Sequence, residues 1–352
     1  MQIQLIGLNH KTAPIEIREQ FYLSENKRDL YLSELKSHPE VIEAFVLSTC
    51  NRTEIYVHTI DQDIDMESYV YLLSKIKGVE FSPDMLDHFY HFNNDAALRH
   101  LFEVSAGLDS LVLGEKQILG QIKMAFERAK ERGILGRNFN ILANSTIRVG
   151  KKARNETDID IGGSSVSWAA IRKAEKEFGS LEDKTVLMIG AGEMSKLAVG
   201  QIHSKGFKKL YVMNRTPEHA EKLASQFDGE CVAFCDIKEV LAKVDLCVCS
   251  SSAPHYILDK ISVEKSMKLR DNRPLLFIDI SMPRNLDPEI EDVPNTKLYC
   301  IDDLKMVVER NMKLREKAID DVKEIVEDKI SEYHTKLEKA NEYASTDLIE
   351  SI

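Results

Sequence analysis

No apolar run in this chain approaches the ~20 residues that a membrane-spanning helix needs. The opening residues, MQIQLIGLNHKT, lack the charged and apolar regions of a signal peptide, so a cytoplasmic protein is the default expectation. Cysteine is sparse. Cys50, Cys231, Cys235, Cys247, Cys249 and Cys300 form no CxxC pair and have no histidines near them at zinc spacing. A disulfide framework and a structural metal are therefore not expected. Positive charge is also short: 47 Lys and Arg stand against 58 Asp and Glu, a formal net charge of −11. Such a balance argues against a surface given over wholly to nucleic acid. Internal repeats and low-complexity segments are absent as well.

What is present suits a globular protein. The 352 residues have room for two or three domains at roughly 100–200 residues each, and 43% hydrophobic content provides for a sizeable core. Charge is unevenly spread. Between Lys123 and Arg154 lie nine basic residues (Lys123, Arg128, Lys130, Arg132, Arg137, Arg148, Lys151, Lys152 and Arg154) against the acids Glu127 and Glu131. They read either as solvated helix faces or as a phosphate-tracking patch.

The first ~60 residues read as strand, helix, strand, strand. QIQLIGLNH alternates as a strand, and Thr12, followed by Pro14, Glu16 and Glu19, suits a helix start. VIEAFVLST and TEIYVHTI are β-rich runs on either side of CNR. From Pro83 to about Glu156 the pattern is helical, with Leu111, Ile118, Ile122, Ala125 and Ala129 near 3.6 spacing. Gly162 and Gly163 mark a boundary, and Ser164 suits the cap of a helix around Trp168. After them the style changes to apolar strands alternating with helices, including VDLCVCSSS and RPLLFIDISMPR, which predicts a parallel, doubly wound sheet. From Asp302 a long helical stripe runs through Leu304, Val308, Met312, Ile319, Val322, Val326, Ile330, Tyr333 and Leu337. It needs a neighbouring domain or a second subunit to cover it. The expected fold is thus α/β and multidomain: an α+β catalytic unit over 1–157, a Rossmann-type unit over 158–300, and a long helix over 301–352.

Gly190, Ala191, Gly192, Glu193, Met194 and Ser195 form a GxGxx(small) turn between a strand and a helix. The first glycine permits the tight turn, the second admits a pyrophosphate, and Ser195 is small enough for close packing. At the end of the second strand an NAD enzyme would carry a carboxylate for the ribose. Asn214, Arg215 and Thr216 stand there instead. An arginine and a hydroxyl suit a 2′-phosphate, so the cofactor read from these residues is NADP(H).

Cys50 sits among Thr49, Asn51 and Arg52. Alone, it reads as a small core residue at a strand end. Donors and a fixed positive charge are also what lower a thiol's pKa and activate it. Paired with a hydride donor, the thiol would capture an acyl group as a thioester, and hydride would release an aldehyde. RHLFEVSAGLDSLVLGEKQILGQ supplies a second polar group. His100 could act as acid or base, Asp109 and Ser110 look like a helix start, and Glu115, Lys116, Gln117 and Gln121 follow. Either these last four form an exposed face, or they recognise a small zwitterion.

Together GLNHKTAPIEIRE, LSTCNRTEIY, GLDSLVLGEKQILGQIK, GSSVSWAA, IGAGEMSKLA, NRT and MPRNLDP resemble the glutamyl-tRNA reductases, in order, up to about residue 300. The resemblance implies NADPH-dependent reduction of glutamyl-tRNA(Glu) to glutamate-1-semialdehyde through a thioester on Cys50, the start of tetrapyrrole synthesis. It implies that His100 matters for activity, and that Thr49, Asn51, Arg52, Ser110, Glu115, Lys116, Gln117 and Gln121 form the glutamate pocket. Gly190 to Ser195 would bind the cofactor, and basic residues of 123–154 would contact tRNA. It also implies hand-over of the product to glutamate-1-semialdehyde aminomutase. Two features depart from the family. Proline is common where this chain has Lys116, and a helical dimerisation domain usually follows the long helix, whereas this chain ends at Ile352. The expected assembly is therefore open between the family's homodimer and a monomer. Two alternatives remain beside this reading: a shikimate-type NADP dehydrogenase, which would not need Cys50, and a non-catalytic relative that binds glutamyl-tRNA or a pathway partner.

Overall fold

The computed structural model describes residues 2–60, 65–157, 159, 166–304 and 316–350, with the backbone alone at 316, 341 and 343–350. Gly162, Gly163, Ser164, Val308 and Met312, which the sequence singles out as a boundary, a cap and part of the helical stripe, lie outside the described residues. The chain divides into two compact units, Met1–Ser164 with Asn311–Ile352, and Ser165–Arg310. Among the described residues no helix is long and apolar enough to cross a membrane.

The first unit is built on an antiparallel sheet of β1 (Gln2–Asn9), β2 (Val41–Ser48), β3 (Arg52–Thr59) and β4 (Tyr90–Asn93), in the order β2-β3-β1-β4. β3 is buried along its whole length, although Arg52, Glu54 and His58 are charged or titratable. Period-two alternation puts those three on one face with Tyr56. Each has a partner there, as buried polar groups require. Between β1 and β2 the sequence predicts one helix, and the structure holds two, α1 (Ile15–Phe21) and α2 (Glu25–Ser37). Thr12 does not cap α1: its hydroxyl accepts the Asn9 N–H at 3.1 Å, closing a turn at the end of β1.

α3 (Met66–Lys77), α4 (Asn94–Ala106), α5 (Gln117–Glu131) and α6 (Arg137–Glu156) complete the N-terminal part. Two expectations need correction here. The supposed all-helical stretch contains the edge strand β4, and Asp109 and Ser110 start no helix. Gly107, at φ +82°, ends α4: its N–H bonds Val104 O at 2.9 Å, and the next N–H, of Leu108, bonds Glu103 O at 2.9 Å. Residues 108–116 are then a loop, with Leu111 buried in it, and α5 begins only at Gln117. A Cβ on Gly107 would lie 2.9 Å from Glu115 N, so the loop folds back on a position that only glycine fits.

The second unit carries α7 (Val166–Phe178) and then β5 (Thr185–Ile189), α8 (Glu193–Lys205), β6 (Lys209–Met213), α9 (Pro217–Ser225), β7 (Glu230–Cys231), α10 (Ile237–Leu241), β8 (Leu246–Cys249), α11 (Lys260–Leu269), β9 (Leu275–Asp279) and β10 (Thr296–Cys300). All its strand pairs are parallel, in the order β10-β9-β8-β5-β6-β7. This is the doubly wound arrangement, and its order reverses between β5 and β8. Asp302 and Leu304, read as the head of the long helix, belong to a short 3-10 turn at Ile301–Leu304. The helix itself is described from Glu316 to Glu350 (α12). Its stripe of Ala318, Val322, Val326, Ile330 and Tyr333 is buried in the first unit's core.

Candidate active site

Cys50 occupies the turn between β2 and β3. The Thr49 N–H bonds Arg52 O at 2.8 Å, and the Asn51 N–H bonds Thr49 Oγ1 at 3.1 Å. Arg18 of α1 braces the turn from outside, with Nη1 3.3 Å from Cys50 O and 3.1 Å from Asn51 Oδ1. The His10 N–H bonds Asn51 O at 2.9 Å. A strand–turn–strand so clamped holds its thiol in a fixed place. Cys50 is half-buried, whereas Thr49, Asn51 and Arg52 are buried. In the sequence, Arg52 and the donors of Thr49 and Asn51 are only candidates for lowering the thiol's pKa. In the fold, burial, followed by the Glu115 carboxylate, pushes it up to about 12, against the opposing pull of Arg18 and Arg52.

Arg52 explains why its pull is weak. Its Nη1 lies 2.5 Å from Glu54 Oε1, its Nη2 lies 2.9 Å from Asp109 Oδ2, and Nη2 also donates to the Asp109 carbonyl. Asp109 in turn accepts Asn9 Nδ2 at 3.0 Å and Lys11 Nζ. A buried guanidinium between two carboxylates is already neutralised, and losing either partner costs on the order of 3–5 kcal/mol. His100, on α4, reaches the same cluster: its Nε2 lies 2.8 Å from Glu54 Oε1.

Glu115 is buried at the end of the 108–116 loop, and burial pushes its carboxyl up to about 7. Arg52, Ser110 and Arg154 favour its charged form without overcoming that burial. The Ser110 hydroxyl oxygen is itself buried without a hydrogen bond of normal geometry. Lys116 is exposed at the N-cap of α5, and Gln117 and Gln121 are half-buried on successive turns of that helix. The first unit thus brings together Cys50, Thr49, Asn51, Arg52, Ser110 and Glu115, with His100 joined through Glu54. Glu54, Asp109, Asn9, Lys11, Arg18 and Tyr90 take part without having been singled out for it. Polar residues inside β3, and a glycine inside β1, were the signals available.

The basic stretch divides in the structure. Arg128 and Arg132 pair with Asp29, Arg137 donates to Ala340 O, and Lys152 lies 3.7 Å from Glu156. Arg154 turns inward: Nη1 bonds Ser105 O at 3.0 Å and Nη2 bonds Glu115 O at 2.9 Å. It supports the site loop. Lys123, Lys130, Arg148 and Lys151 make no ion pair among the described residues, and all but the half-buried Lys123 are exposed.

The glycine turn lies in the second unit, at the point where its strand order reverses. Gly190 has φ +106°, and a Cβ there would lie 1.9 Å from Ser250 O. Its N–H bonds Met213 O at 2.7 Å, Ser195 Oγ donates to Ser250 O at 3.1 Å, and the Ser250 N–H bonds Ile189 O at 2.8 Å. Gly192 differs. Its φ of −79° suits any residue, and a Cβ would meet no protein atom within 4 Å. Neither backbone nor packing demands that glycine, which leaves the close approach of a ligand at the head of α8. Glu193 and Met194 open that helix. After β6, Asn214 Nδ2 donates to Thr216 O at 2.9 Å and Arg215 is exposed. These residues fit a nicotinamide dinucleotide.

Comparison with known proteins agrees across both units. A family model described as glutamyl-tRNAGlu reductase, N-terminal domain, matches residues 6–157, and one described as shikimate / quinate 5-dehydrogenase matches residues 172–307. Glutamyl-tRNA reductase of Priestia megaterium is 40% identical over 334 residues, 94% of this chain and 74% of that protein. The Bacillus subtilis enzyme is 39% identical over 336 residues, 95% and 73% of the two chains. The solved structure of glutamyl-tRNA reductase from Methanopyrus kandleri is 33% identical, with a TM-score of 0.53 over 97% of this chain and 82% of that one. Likeness of this extent, over the thiol turn and the dinucleotide turn alike, means that the chain belongs to the glutamyl-tRNA reductase family.

Proposed function

We propose that this protein reduces the glutamyl ester of glutamyl-tRNA to glutamate-1-semialdehyde with NADPH, the first step of tetrapyrrole synthesis, through a thioester on Cys50. Family membership supports the substrate and the reaction. The observation that carries the reading in this chain is the clamped turn presenting Cys50, with the titratable Glu115 felt at its sulfur.

The thiol must lose its proton before it can bond to the ester carbonyl carbon. The bond from that carbon to the terminal ribose oxygen then breaks, and the oxygen leaves as a hydroxyl once protonated. His100 is the acid/base group of this reading. Thr49, Asn51, Arg52, Ser110, Glu115, Lys116, Gln117 and Gln121 would hold the glutamyl group, Glu115 being suited to its ammonium. NADPH, when bound, supplies the hydride that turns the thioester into the aldehyde. Gly190 to Ser195 would take its pyrophosphate, and Asn214, Arg215 and Thr216 its 2′-phosphate, where a carboxylate would repel it. Lys123, Lys130, Arg148 and Lys151 are the basic residues left to meet tRNA phosphates. The product carries an aldehyde next to a carbon bearing an amine, and that lability favours direct hand-over to glutamate-1-semialdehyde aminomutase. We place the protein in the cytoplasm, and sedimentation decides between the family's homodimer and a monomer.

The test is incubation with charged glutamyl-tRNA, with and without NADPH. Semialdehyde should form only with NADPH, a glutamyl adduct on Cys50 should accumulate without it, and Cys50→Ser should abolish both. Folded protein giving neither product would sink the proposal. For the cofactor, Arg215→Ala should weaken NADPH binding about 10- to 100-fold and leave NADH binding unchanged. Equal affinities of the unaltered protein for the two nucleotides would rule out the NADPH assignment.

A further inference from the structure

Glu54 has no side-chain surface in contact with solvent, yet it gathers more donors than any residue described above. Its Oε1 takes Arg52 Nη1 at 2.5 Å, the Tyr90 hydroxyl at 2.7 Å and His100 Nε2 at 2.8 Å, and its Oε2 takes the Tyr56 hydroxyl at 2.7 Å. β1 is shaped to admit this group. Gly7 stands opposite Glu54 on one side and opposite Tyr90 on the other. A Cβ on Gly7 would lie 2.8 Å from Glu54 Cγ and 3.2 Å from Tyr90 Cε2. Gly7 is not among the positive-φ glycines, so it is there for room rather than for its backbone freedom.

A carboxylate met by a guanidinium and two hydroxyls stays ionised. Against the cost of burial, Arg52, His100 and Tyr90 hold Glu54 well below the usual carboxylate range. An ionised carboxylate only accepts hydrogen bonds, so the proton between Glu54 and His100 belongs to Nε2. The imidazole is held in that orientation by the rings of Tyr90 and Phe92, at 5.3 and 5.4 Å between centroids. Nδ1 has no hydrogen-bond partner among the described residues.

We propose that Glu54 is the positioning residue for His100, locking the imidazole as its Nε2–H tautomer and leaving Nδ1 as the nitrogen that exchanges a proton with bound substrate. When Nδ1 takes a proton, the imidazolium lies against a carboxylate that keeps its charge. When Nδ1 gives the proton up, the same neutral tautomer returns. Arg52 and Tyr90 act through Glu54, which gives the buried guanidinium a task other than holding substrate. The inference rests on the reading of His100 as the acid/base group.

Two measurements on the full chain test it. Long-range nitrogen–proton correlation spectra of the histidines, with His100 assigned from the His100→Gln spectrum, should show protonated Nε2 and bare Nδ1 in the unaltered protein. Glu54→Gln should mix the two tautomers. In single-turnover thioester formation from glutamyl-tRNA, Glu54→Gln and His100→Ala should each lose about 100-fold in rate. The double variant should be no slower than the worse single one. A Tyr90→Phe variant, which removes one donor and no charge, should keep the tautomer and lose only a few-fold. Losses that multiply in the double variant would overturn the proposal, as would an Nδ1–H tautomer in the unaltered protein, a result that holds even if Glu54→Gln fails to fold. Full activity in His100→Ala would instead overturn the reading of His100, and the tautomer spectrum would still report on Glu54.

Discussion

At the scale of single residues, a thiol next to a buried carboxylate is a poor nucleophile until one of the two changes charge. With its pKa pushed up to about 12, Cys50 is overwhelmingly protonated at pH 7. Glu115, pushed up to about 7, is half ionised there and opposes the thiolate when charged. Glu115→Gln removes that repulsion, so Cys50 should be alkylated faster by iodoacetamide, with the midpoint of its pH–rate curve shifted down. Peptide mapping gives the rate, and the exposed Cys235 serves as internal reference. Stability should follow the opposite course from that of a salt-bridged acid. A carboxyl raised from 4.5 to about 7 in the fold binds its proton more tightly there than when unfolded. The fold is therefore favoured at low pH, and that advantage fades as pH rises from about 4.5 through 7. At 1.36 kcal/mol per pKa unit the penalty above pH 7 is about 3 kcal/mol. Urea unfolding should find Glu115→Gln more stable than the parent at pH 8 and no more stable at pH 4.5. Equal gains at both pH values would rule this out. Little of this could be read from the sequence. STCNRTE pointed to Cys50, but Arg52 beside it looked like the thiol's counter-charge. Of its two carboxylate partners, Glu54 stands two positions on in the same motif and on the same strand face, but Asp109 lies 57 positions away, where distance along the chain hides it.

Elements with one clear period were legible, and those set by tertiary fit were not. The strands on either side of CNR, and the strand, glycine turn and helix at Gly190, follow from apolar runs and turn residues alone. The start of α5 did not. GLDSLVLGE carries apolar residues near helical spacing, yet Gly107 ends α4 and the loop is held by Arg154 from α6. Lys116 stands at the junction, as the N-cap of α5 with φ −76° and ψ −28°. Proline fixes φ near −65 ± 15°, and helix starts favour it. Lys116→Pro should therefore keep this φ, and restricting the unfolded chain should add about 0.4–1 kcal/mol of stability, less the contacts that Lys116 itself makes. The unfolding midpoint in urea should rise at unchanged slope, and slower thioester formation would show that the Lys116 side chain helps to hold the glutamyl group. A fall in stability would mean that the Lys116 side chain or its N–H holds the loop.

At the scale of the whole molecule, the helical stripe after residue 315 announced a partner but not its identity, since periodicity records an apolar face and nothing of what meets it. The structure answers within the chain: α12 returns to α4 and α6, which begin 222 and 179 residues earlier. Arg99 grips Glu327 through two bonds of 2.6 and 2.8 Å, and His334 lies 2.8 Å from Asp95. Exposed pairs like these add up to about 1 kcal/mol each, so they set the register more than the strength. Burial of Val322, Val326, Ile330 and Tyr333 supplies the strength, at about 1.5–3 kcal/mol for each large apolar side chain. Val326 is 1% exposed, and Val326→Asp would put an unpaired carboxylate there. The expected loss is at least about 3 kcal/mol, and it should fall on the first unit. The chain's single tryptophan, Trp168, lies on α7 in the second unit, which separates the two signals. In Val326→Asp the far-ultraviolet helix signal should begin to fall at lower urea, while the Trp168 fluorescence transition stays where it is in the parent. Added NADPH should raise only the Trp168 transition if, as proposed, it binds the unit that contains Gly190. Coincident shifts of both signals in Val326→Asp would show that the two cores unfold as one, and that α12 stabilises more than the unit it packs into.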